Sequence, residues 1–398
     1  SYYYRDTFAS PQYDHSFGDR WGVKAVAYYQ DYDLTTFWRE FLWGRQGPSS
    51  TPDDVRYAID VFKRGRRAGG DVQFDAHLPG RHELVGGVTY EKESLSLVED
   101  RWRDVHTGVV TRPFYIDPVD TTTWALYAQD TWKAADWATL TLGVRGDHHS
   151  VFGWHVSPRV GVTFHPGQKL VVKLLYGEAF RAPSAREFYT VDLTGDFPSG
   201  NLGLEPERIQ TWEAGLTYTF SSYVQSRLVL YQEKTFDAIY SENNAPYDNH
   251  PGDTVRGVEA GVKLAWPNKV TAYANVSYTD ADLYNVPKNT AHAGVNVPFG
   301  GRFNWNLNAI YVSKRPRDPK DEYYYDPTVP PFHRPDAGDY LVINTTFRIV
   351  KVWRGLELNA SIYNLLDRDY FDPTFEPTKY YDLKAANRTY LVRLVYRF

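Results

Sequence analysis

The sequence contains no cysteine and no methionine. Without cysteine the chain has no disulfide framework, no thiolate metal ligand and no thiol nucleophile, and it carries no clue to a redox compartment. Positive charge is not in excess either: 44 Lys and Arg stand against 49 Asp and Glu, a formal net charge of −5. A nucleic-acid binder needs a basic stripe to release phosphate counterions, so that class is set aside. Long apolar runs are missing, and no window reaches the roughly 18 to 20 uncharged residues of a membrane-spanning helix. No G-x-S-x-G elbow, H-E-x-x-H helix or phosphate-cradling G-x-x-x-x-G-K occurs, so neither an enzyme nor a resident cofactor is expected. Linker-like and low-complexity stretches are absent, which argues for one continuous architecture. The first residue is Ser1, with no Met and no basic-then-apolar leader after it, so a processed product or a fragment is expected.

What the chain does have is aromatic residues and alternation. Tyr, Phe and Trp number 32, 21 and 12 among 398 residues, 16% of the chain, while mean hydropathy is only −0.52. In "TWEAGLTYTF", Trp212, Ala214, Leu216, Tyr218 and Phe220 share one face and Glu213, Gly215, Thr217 and Thr219 the other. That is the period of a β-strand. "VTAYANVSYT" sets Val270, Ala272, Ala274, Val276 and Tyr278 against polar neighbours, and "FNWNLNAIY" alternates Phe303, Trp305, Leu307 and Ala309 with three asparagines. The C-terminus places Tyr390, Val392, Leu394, Tyr396 and Phe398 opposite Arg393 and Arg397.

Alternation alone fits a soluble sandwich, whose apolar face is its core, as well as an outer-membrane barrel, whose apolar face meets lipid. Three features favour the barrel. Aromatics such as Trp212, Phe220, Tyr278, Phe303 and Phe398 sit at or near the ends of the apolar sets, where interfacial girdles belong. The strands run to about 10 to 16 residues, where soluble ones have about 5 or 6. Connections alternate between tight (78–82, 133–137, 164–169, 220–223, 265–269, 297–302, 350–355) and long (34–65, 99–120, 182–206, 241–252, 315–338, 369–386), as they do when one rim is periplasmic and the other extracellular. The fold expected is therefore all-β, an antiparallel transmembrane β-barrel with about 17 strands in this chain, the earliest within residues 1–19.

Several stretches, in this order, resemble the barrel of the TonB-dependent outer-membrane receptors of Gram-negative bacteria: "TWALYAQDTWK" and "LTLGVRGD" (123–147), "SPRVGVTFHP" (157–166), "YGEAFRAPSAREFY" (176–189), "NLGLEPERIQTWEAGLTY" (201–218), "VRGVEAGV" (255–262), "SIYNLLDRDYF" (361–371) and the terminal "LVYRF". The likeness runs from about residue 66 to the end and is looser before it. The resemblance implies a 22-stranded barrel plugged by an N-terminal domain that touches the TonB complex. Neither a plug nor a TonB-contacting motif is present here. Residues 1–398 are thus expected to be the C-terminal portion of the barrel, with the plug and first strands in another chain or an upstream segment.

The implied function is import of a scarce, bulky nutrient, siderophore-iron first and cobalamin or an oligosaccharide next, with the small-molecule ligand captured by extracellular loops. The expected partners are the plug, TonB through it, and outer-membrane lipid or lipopolysaccharide. A structural or adhesive barrel, or a passive pore subunit, is the alternative. The stretch "FRAPSAREFY" admits two readings: Arg181, Arg186 and Glu187 face ligand, or Pro183 ends a strand and the charges pair with the wall. Haem importers of the family carry a histidine after "FRAP", but none lies between residues 183 and 206, leaving Tyr189 as the one phenolate candidate. The dense histidines of "DHHSVFGWH" (147–155) admit a metal or merely a brief loop. Two aromatic loops suit ligand contact: one with Phe37, Trp38, Arg39 and Trp43, and one with Tyr323, Tyr324 and Tyr325 among six prolines at 314–339. The inward Glu213, Arg393 and Arg397 are expected to hydrogen-bond the plug.

Overall fold

The computed structural model describes residues 2–40, 57–195, 197–242, 244–280, 283–317, 322–323, 332–333, 335–353, 355–373 and 382–396. In chain order come β1 (Tyr2–Ala9), β2 (Gln12–Phe17), β3 (Trp21–Glu40), β4 (Tyr57–Leu78), β5 (His82–Asp104), β6 (Val110–Thr111), β7 (Phe114–Ile116), β8 (Val119–Ala135) and β9 (Ala138–His149). Next are β10 (Gly153–Phe164), β11 (Leu170–Arg181), helix α1 (Ala185–Tyr189), β12 (Val191–Asp192), β13 (Glu207–Ser221), β14 (Val224–Phe236), β15 (Ala238–Tyr240) and β16 (Asp248–His250). The remainder holds β17 (Thr254–Ala265), β18 (Thr271–Asp280), β19 (Asn289–Phe299), β20 (Phe303–Val312), β21 (Glu322–Tyr323), β22 (Phe332–His333), β23 (Tyr340–Trp353), β24 (Leu356–Tyr363), β25 (Phe371–Asp372), β26 (Leu383–Lys384) and β27 (Thr389–Tyr396).

Twenty-one of these strands belong to one antiparallel sheet. Setting aside the very short β6, β7 and β12, and joining β1 to β2 across Ser10 and Pro11 because both pair with β3, leaves the expected seventeen. Of the tight connections expected from the sequence, 78–82, 133–137, 220–223, 265–269 and 297–302 contain turns, and 164–169 is a bend. No helix among the described residues is long and apolar enough to cross a membrane.

The chain divides into two compact units, residues 1–163 with 175–212 and 233–253, and residues 164–174 with 213–232 and 254–398. In the first, β1 and β2 pair with β3, and β3, β4, β5, β8 and β9 follow as successive antiparallel neighbours. Alternation sorts the side chains. On the outer face of β3, Trp21, Val23, Ala25, Ala27 and Tyr29 succeed one another, about 26 Å of strand at about 3.3 Å per residue. This matches an outward apolar band about 25 Å tall. Phe74 and Trp132 stand near the turn end of the same band, and Tyr90 and Trp124 near its other end, with Trp124 packed edge-on against Trp154 at 4.5 Å. Beyond Tyr29 and Tyr90 the outer positions become charged, with ion pairs Arg66–Asp31 at 2.9 Å, Arg64–Asp33 at 3.0 Å and Lys92–Asp120 at 2.6 Å. Lipid contact ends there, because ions are paired in water and not in hydrocarbon.

This extension corrects the expected loop at 34–65. β3 runs on to Glu40 and β4 begins at Tyr57, so Trp38 and Arg39 occupy strand positions opposite Ile59 and Ala58. At 20 and 22 residues, β3 and β4 are twice the length a bilayer needs, and the hairpin continues pairing above the membrane.

The inner face is polar and interlocked. Thr89 donates to Asp71 (2.9 Å) and so does Tyr127 (3.2 Å), while Arg67 pairs with Glu91 at 2.7 Å and Tyr28 donates to the same carboxylate. Three tyrosines lie across glycines of the adjacent strand, Tyr28 over Gly69, Tyr32 over Gly65 and Tyr127 over Gly87, where a Cβ would strike the phenol. The missing side chain makes room for the ring, which then covers the exposed glycine backbone.

In the second unit β17, β18, β19, β20, β23, β24 and β27 pair in that order. The same interlock recurs as Tyr231 over Gly257 and Tyr273 over Gly294. Asparagines ladder up the inner wall, with Asn344 donating to Asn308 (3.0 Å) and Asn308 to Asn306 (3.3 Å). Outside, Val276 is 54% exposed and Leu394 65%, and Phe299, Phe303 and Phe347 cluster at the turn end with centroids 5.4 to 6.0 Å apart. A Val276→Arg substitution, on the lipid face of β18, should cost about 2–4 kcal/mol. Asn275→Arg, one residue along and facing inward, should cost clearly less. Urea unfolding in lipid vesicles measures both, and equal costs would show the faces to be misassigned.

Candidate functional site

At the end of β11 the strand stops because Pro183 cannot continue a ladder, and Ser184 begins a helix in its place. The Glu187 N–H donates to Ser184 Oγ (3.3 Å) and the Ser184 N–H to the Glu187 carboxylate (2.6 Å), a reciprocal cap on α1. Arg181 then grips two carboxylates. It donates from Nη1 and Nη2 to Glu187 at 2.9 and 3.0 Å, and from Nε to Glu207 at 2.5 Å. Glu207 in turn accepts the Ile239 N–H at 2.7 Å.

Beneath this lies an apolar plug of Phe188, Leu204 and Ile239, the first two 3% and 2% exposed, with Phe152, Tyr189 and Tyr247 packed round it. Asn201 donates to the Tyr247 carbonyl (3.0 Å), and Asn249 both accepts from the Glu205 N–H (2.8 Å) and donates to the Glu205 and Asp237 carbonyls. Arg181, Ser184, Glu187, Asn201, Glu205 and Glu207 therefore belong to one clamp at the loop base. Of the two readings of "FRAPSAREFY", charge pairing is what Arg181 makes. Burial alone would raise the Glu187 carboxyl, but the Arg181 guanidinium and the Ser184 backbone and hydroxyl outweigh it and hold it below the usual carboxylate range. Arg186 lies exposed over the Phe114 ring at 5.5 Å.

Tyr189 is placed differently. It lines a recess of 170 Å³ below α1 together with Glu91, Glu93, Thr121, Thr123 and His149. Burial pushes its phenol above the usual value, which disfavours the phenolate that iron ligation requires. The histidines are dispersed among rings: His148 stacks on Trp124 (5.5 Å), His149 on Phe152 (4.5 Å), and His155 leans on Phe180 (4.2 Å). Among the described residues no group of three or more His, Asp or Glu is arranged to hold a metal ion.

A second clamp closes the loop bases of the other unit. Arg315, 4% exposed, donates to Asp372 (3.0 Å) and to the Phe371 carbonyl (2.7 Å). Arg317, 8% exposed, donates to the Pro335 carbonyl (2.8 Å) and pairs with Asp382. In "SIYNLLDRDYF" the buried Asn364 takes a left-handed backbone, accepts the Arg368 N–H and donates to the Arg368 carbonyl, closing a compact turn. Neither Arg315 nor Arg317 was singled out by sequence, where they read as loop charges. The one local signal was Pro316 between them, whose ring fixes the backbone φ at that point.

Trp38 and Arg39 are placed as strand positions of β3 and Tyr323 as part of β21. Trp43, Tyr324 and Tyr325 lie outside the described residues, as does Arg397. Arg393 pairs in register with Asn359 on β24, and Glu213 lies on β13.

A family model described as "TonB dependent receptor-like, beta-barrel" matches residues 1–365. The chain belongs to that family. The match reaches Ser1, so residues 1–65, where the motif likeness was loose, are part of the same barrel. The iron-regulated outer membrane virulence protein of Vibrio cholerae is 25% identical over 325 residues, covering 73% of this chain and 46% of that protein. The vitamin B12 transporter BtuB of the same species is 25% identical over 305 residues, covering 75% and 45%. A crystal structure of a mutant ferric enterobactin receptor, PfeA from Pseudomonas aeruginosa, superposes with a TM-score of 0.75 at 16% identity, over 98% of this chain and 61% of that one. At that identity the likeness shows the fold alone. This TonB-dependent receptor chain, an outer-membrane protein, spans about half the length of the curated relatives it matches.

The Arg181 clamp predicts a pH dependence. The depressed Glu187 pKa contributes stability that is fully present above the unfolded carboxylate value of about 4.3 and is lost as pH falls through the lower folded value. Glu187→Gln should therefore speed amide exchange across residues 184–190 at neutral pH, with the difference from wild type vanishing in acid. Arg181→Ala should cost about 2 kcal/mol locally, since it strands two carboxylates, and exchange in β18 should not change.

Proposed function

We propose that this chain forms the wall and most of the extracellular loop apparatus of a receptor that imports a scarce, bulky nutrient complex. Membership of the TonB-dependent receptor family across residues 1–365 carries the reading. A ferric siderophore is the favoured ligand, ahead of cobalamin or an oligosaccharide. Support comes from the iron regulation named for one relative and the enterobactin named for a structural neighbour, together with loops rich in tyrosine and tryptophan. Haem ranks low, because no histidine follows Pro183 before residue 206 and burial pushes the Tyr189 phenol up, away from the phenolate.

In this reading Tyr189 faces ligand in its recess, and Trp38, Arg39, Trp43, Tyr323, Tyr324 and Tyr325 are further ligand contacts. Arg181 and Arg186 serve by holding the loop base. A plug from a segment outside these residues hydrogen-bonds the inner wall, Glu213, Arg393 and Arg397 included, and relays the energy of TonB. The relatives' greater length is consistent with such a segment.

Replacing residues 318–334 of the full-length receptor by a short Gly-Ser bridge, which keeps Arg315, Arg317 and the Pro335 carbonyl in place, should abolish ferric-siderophore uptake. Heat-modifiable migration should persist. Unchanged uptake rejects that loop as the binding element. The full-length receptor should be nearly silent in a planar bilayer, and steady conductance would favour the passive pore.

A further inference from the structure

The outer wall of the first unit is not evenly bulky. Between the tryptophans and the mid-membrane residues, Gly86 and Ala128 occupy outward positions on adjacent strands, in register with Ala128 directly opposite Gly86. They floor a groove of 630 Å³ walled by Trp21, Phe74, Leu84, Leu142, Val144 and Val160. All six wall residues are more than a third exposed, so no part of the described chain covers the groove. It lies in the half of the apolar band next to the tight turns, the periplasmic half of an outer-membrane barrel.

The end of the groove is charged. Three residues before Leu84, Arg81 pairs with Asp136 at 2.7 Å, and Lys133 approaches the same carboxylate at 3.5 Å. Arg81 and Lys133 keep 58% and 53% of their side chains exposed. Two exposed cations share Asp136 at the turn rim, while the nearby carboxylate of Asp130 is taken by His82. His82, stacked on Trp132 with centroids 5.4 Å apart and bonded to Asp130 at 2.7 Å, forms the step between rim and groove. A cationic rim about three residues, or roughly 10 Å, from an apolar trough suits a phosphate joined to an acyl chain.

We propose that this face binds one glycerophospholipid of the inner leaflet, its acyl chain in the groove and its phosphate against Arg81 and Lys133. The inference needs only the outer-membrane barrel, and is independent of which nutrient is imported. Ala128→Leu fills the groove from the lipid side without touching the lumen, and Val144→Phe fills it from the opposite wall. The full-length receptor, reconstituted in nanodiscs of phosphatidylethanolamine and phosphatidylglycerol and released into the gas phase, reports retained lipid by native mass spectrometry. Wild type should hold one phospholipid. Displacing two methylenes from the groove should cut retention about tenfold. Arg81→Ala combined with Lys133→Ala should selectively reduce retained phosphatidylglycerol. The proposal is overturned if both filling variants assemble and retain phospholipid like wild type, or if the lipid retained from native membranes is lipopolysaccharide. It is equally overturned if the fillings convert a dimer into a monomer, which would make the groove a contact between copies.

Discussion

Inside a bilayer the backbone has no water to bond, so every N–H and C=O that crosses must be paired within the protein. That requirement governs the rest of this chain. Long antiparallel strands satisfy it with ladder hydrogen bonds, and once the ladder exists the pleat sends alternate side chains to opposite solvents. The outward set, exemplified by Trp21 through Tyr29 on β3, is apolar for as long as the strand meets lipid. It turns to Asp31 and Asp33 where the strand emerges. The change of chemistry along a single strand marks the membrane boundary without reference to any other element.

The inward set faces a different problem, since a wall lined with carboxylates, guanidinia and amides must leave few of them unpaired. The chain answers locally, strand against neighbouring strand. Asp71 collects Thr89 and Tyr127, Glu91 collects Arg67 and Tyr28, and Asn306, Asn308 and Asn344 bond in a row. The tyrosine-over-glycine pairs belong to the same economy. A ring laid along the wall shields a glycine backbone, keeps its hydroxyl within reach of a cross-strand acceptor, and leaves the lumen clear for whatever fills it.

The most family-like stretches turned out to be fasteners. "FRAP", "NLGLEPE" and "SIYNLLDRDYF" each carry side-chain hydrogen bonds that tie a loop to its neighbours. They anchor loop bases through Arg181, Glu207, Asn201 and Asn364. A receptor that must vary its loops to recognise new cargo needs rigid bases from which to vary them, since sites are more sharply defined when their supports are locked. Arg315 and Arg317 do the same work for the loop richest in tyrosine.

Sequence alone sufficed for the faces of β13, β18, β20 and β27, which follow from a period of two read within single segments, and for the barrel class and a strand number of about seventeen, which needed the strand lengths, the end aromatics and the alternation of tight and long connections as well. Loop boundaries were less legible: 34–65 read as a loop since its upper residues lose the apolar alternation, yet β3 and β4 continue to pair there because hairpin bonding needs no apolar face. The roles of individual charges were not legible at all. Arg181 read as a charge that meets ligand or pairs with the wall, Arg315 was not distinguished within its loop, and only folding reveals that the first bridges Glu187 and Glu207 and the second reaches Asp372. Periodicity is a local property that a linear string records in full. Which carboxylate meets which guanidinium, and where two small residues on adjacent strands open a groove, depends on register between distant segments, and register is decided only when the sheet forms.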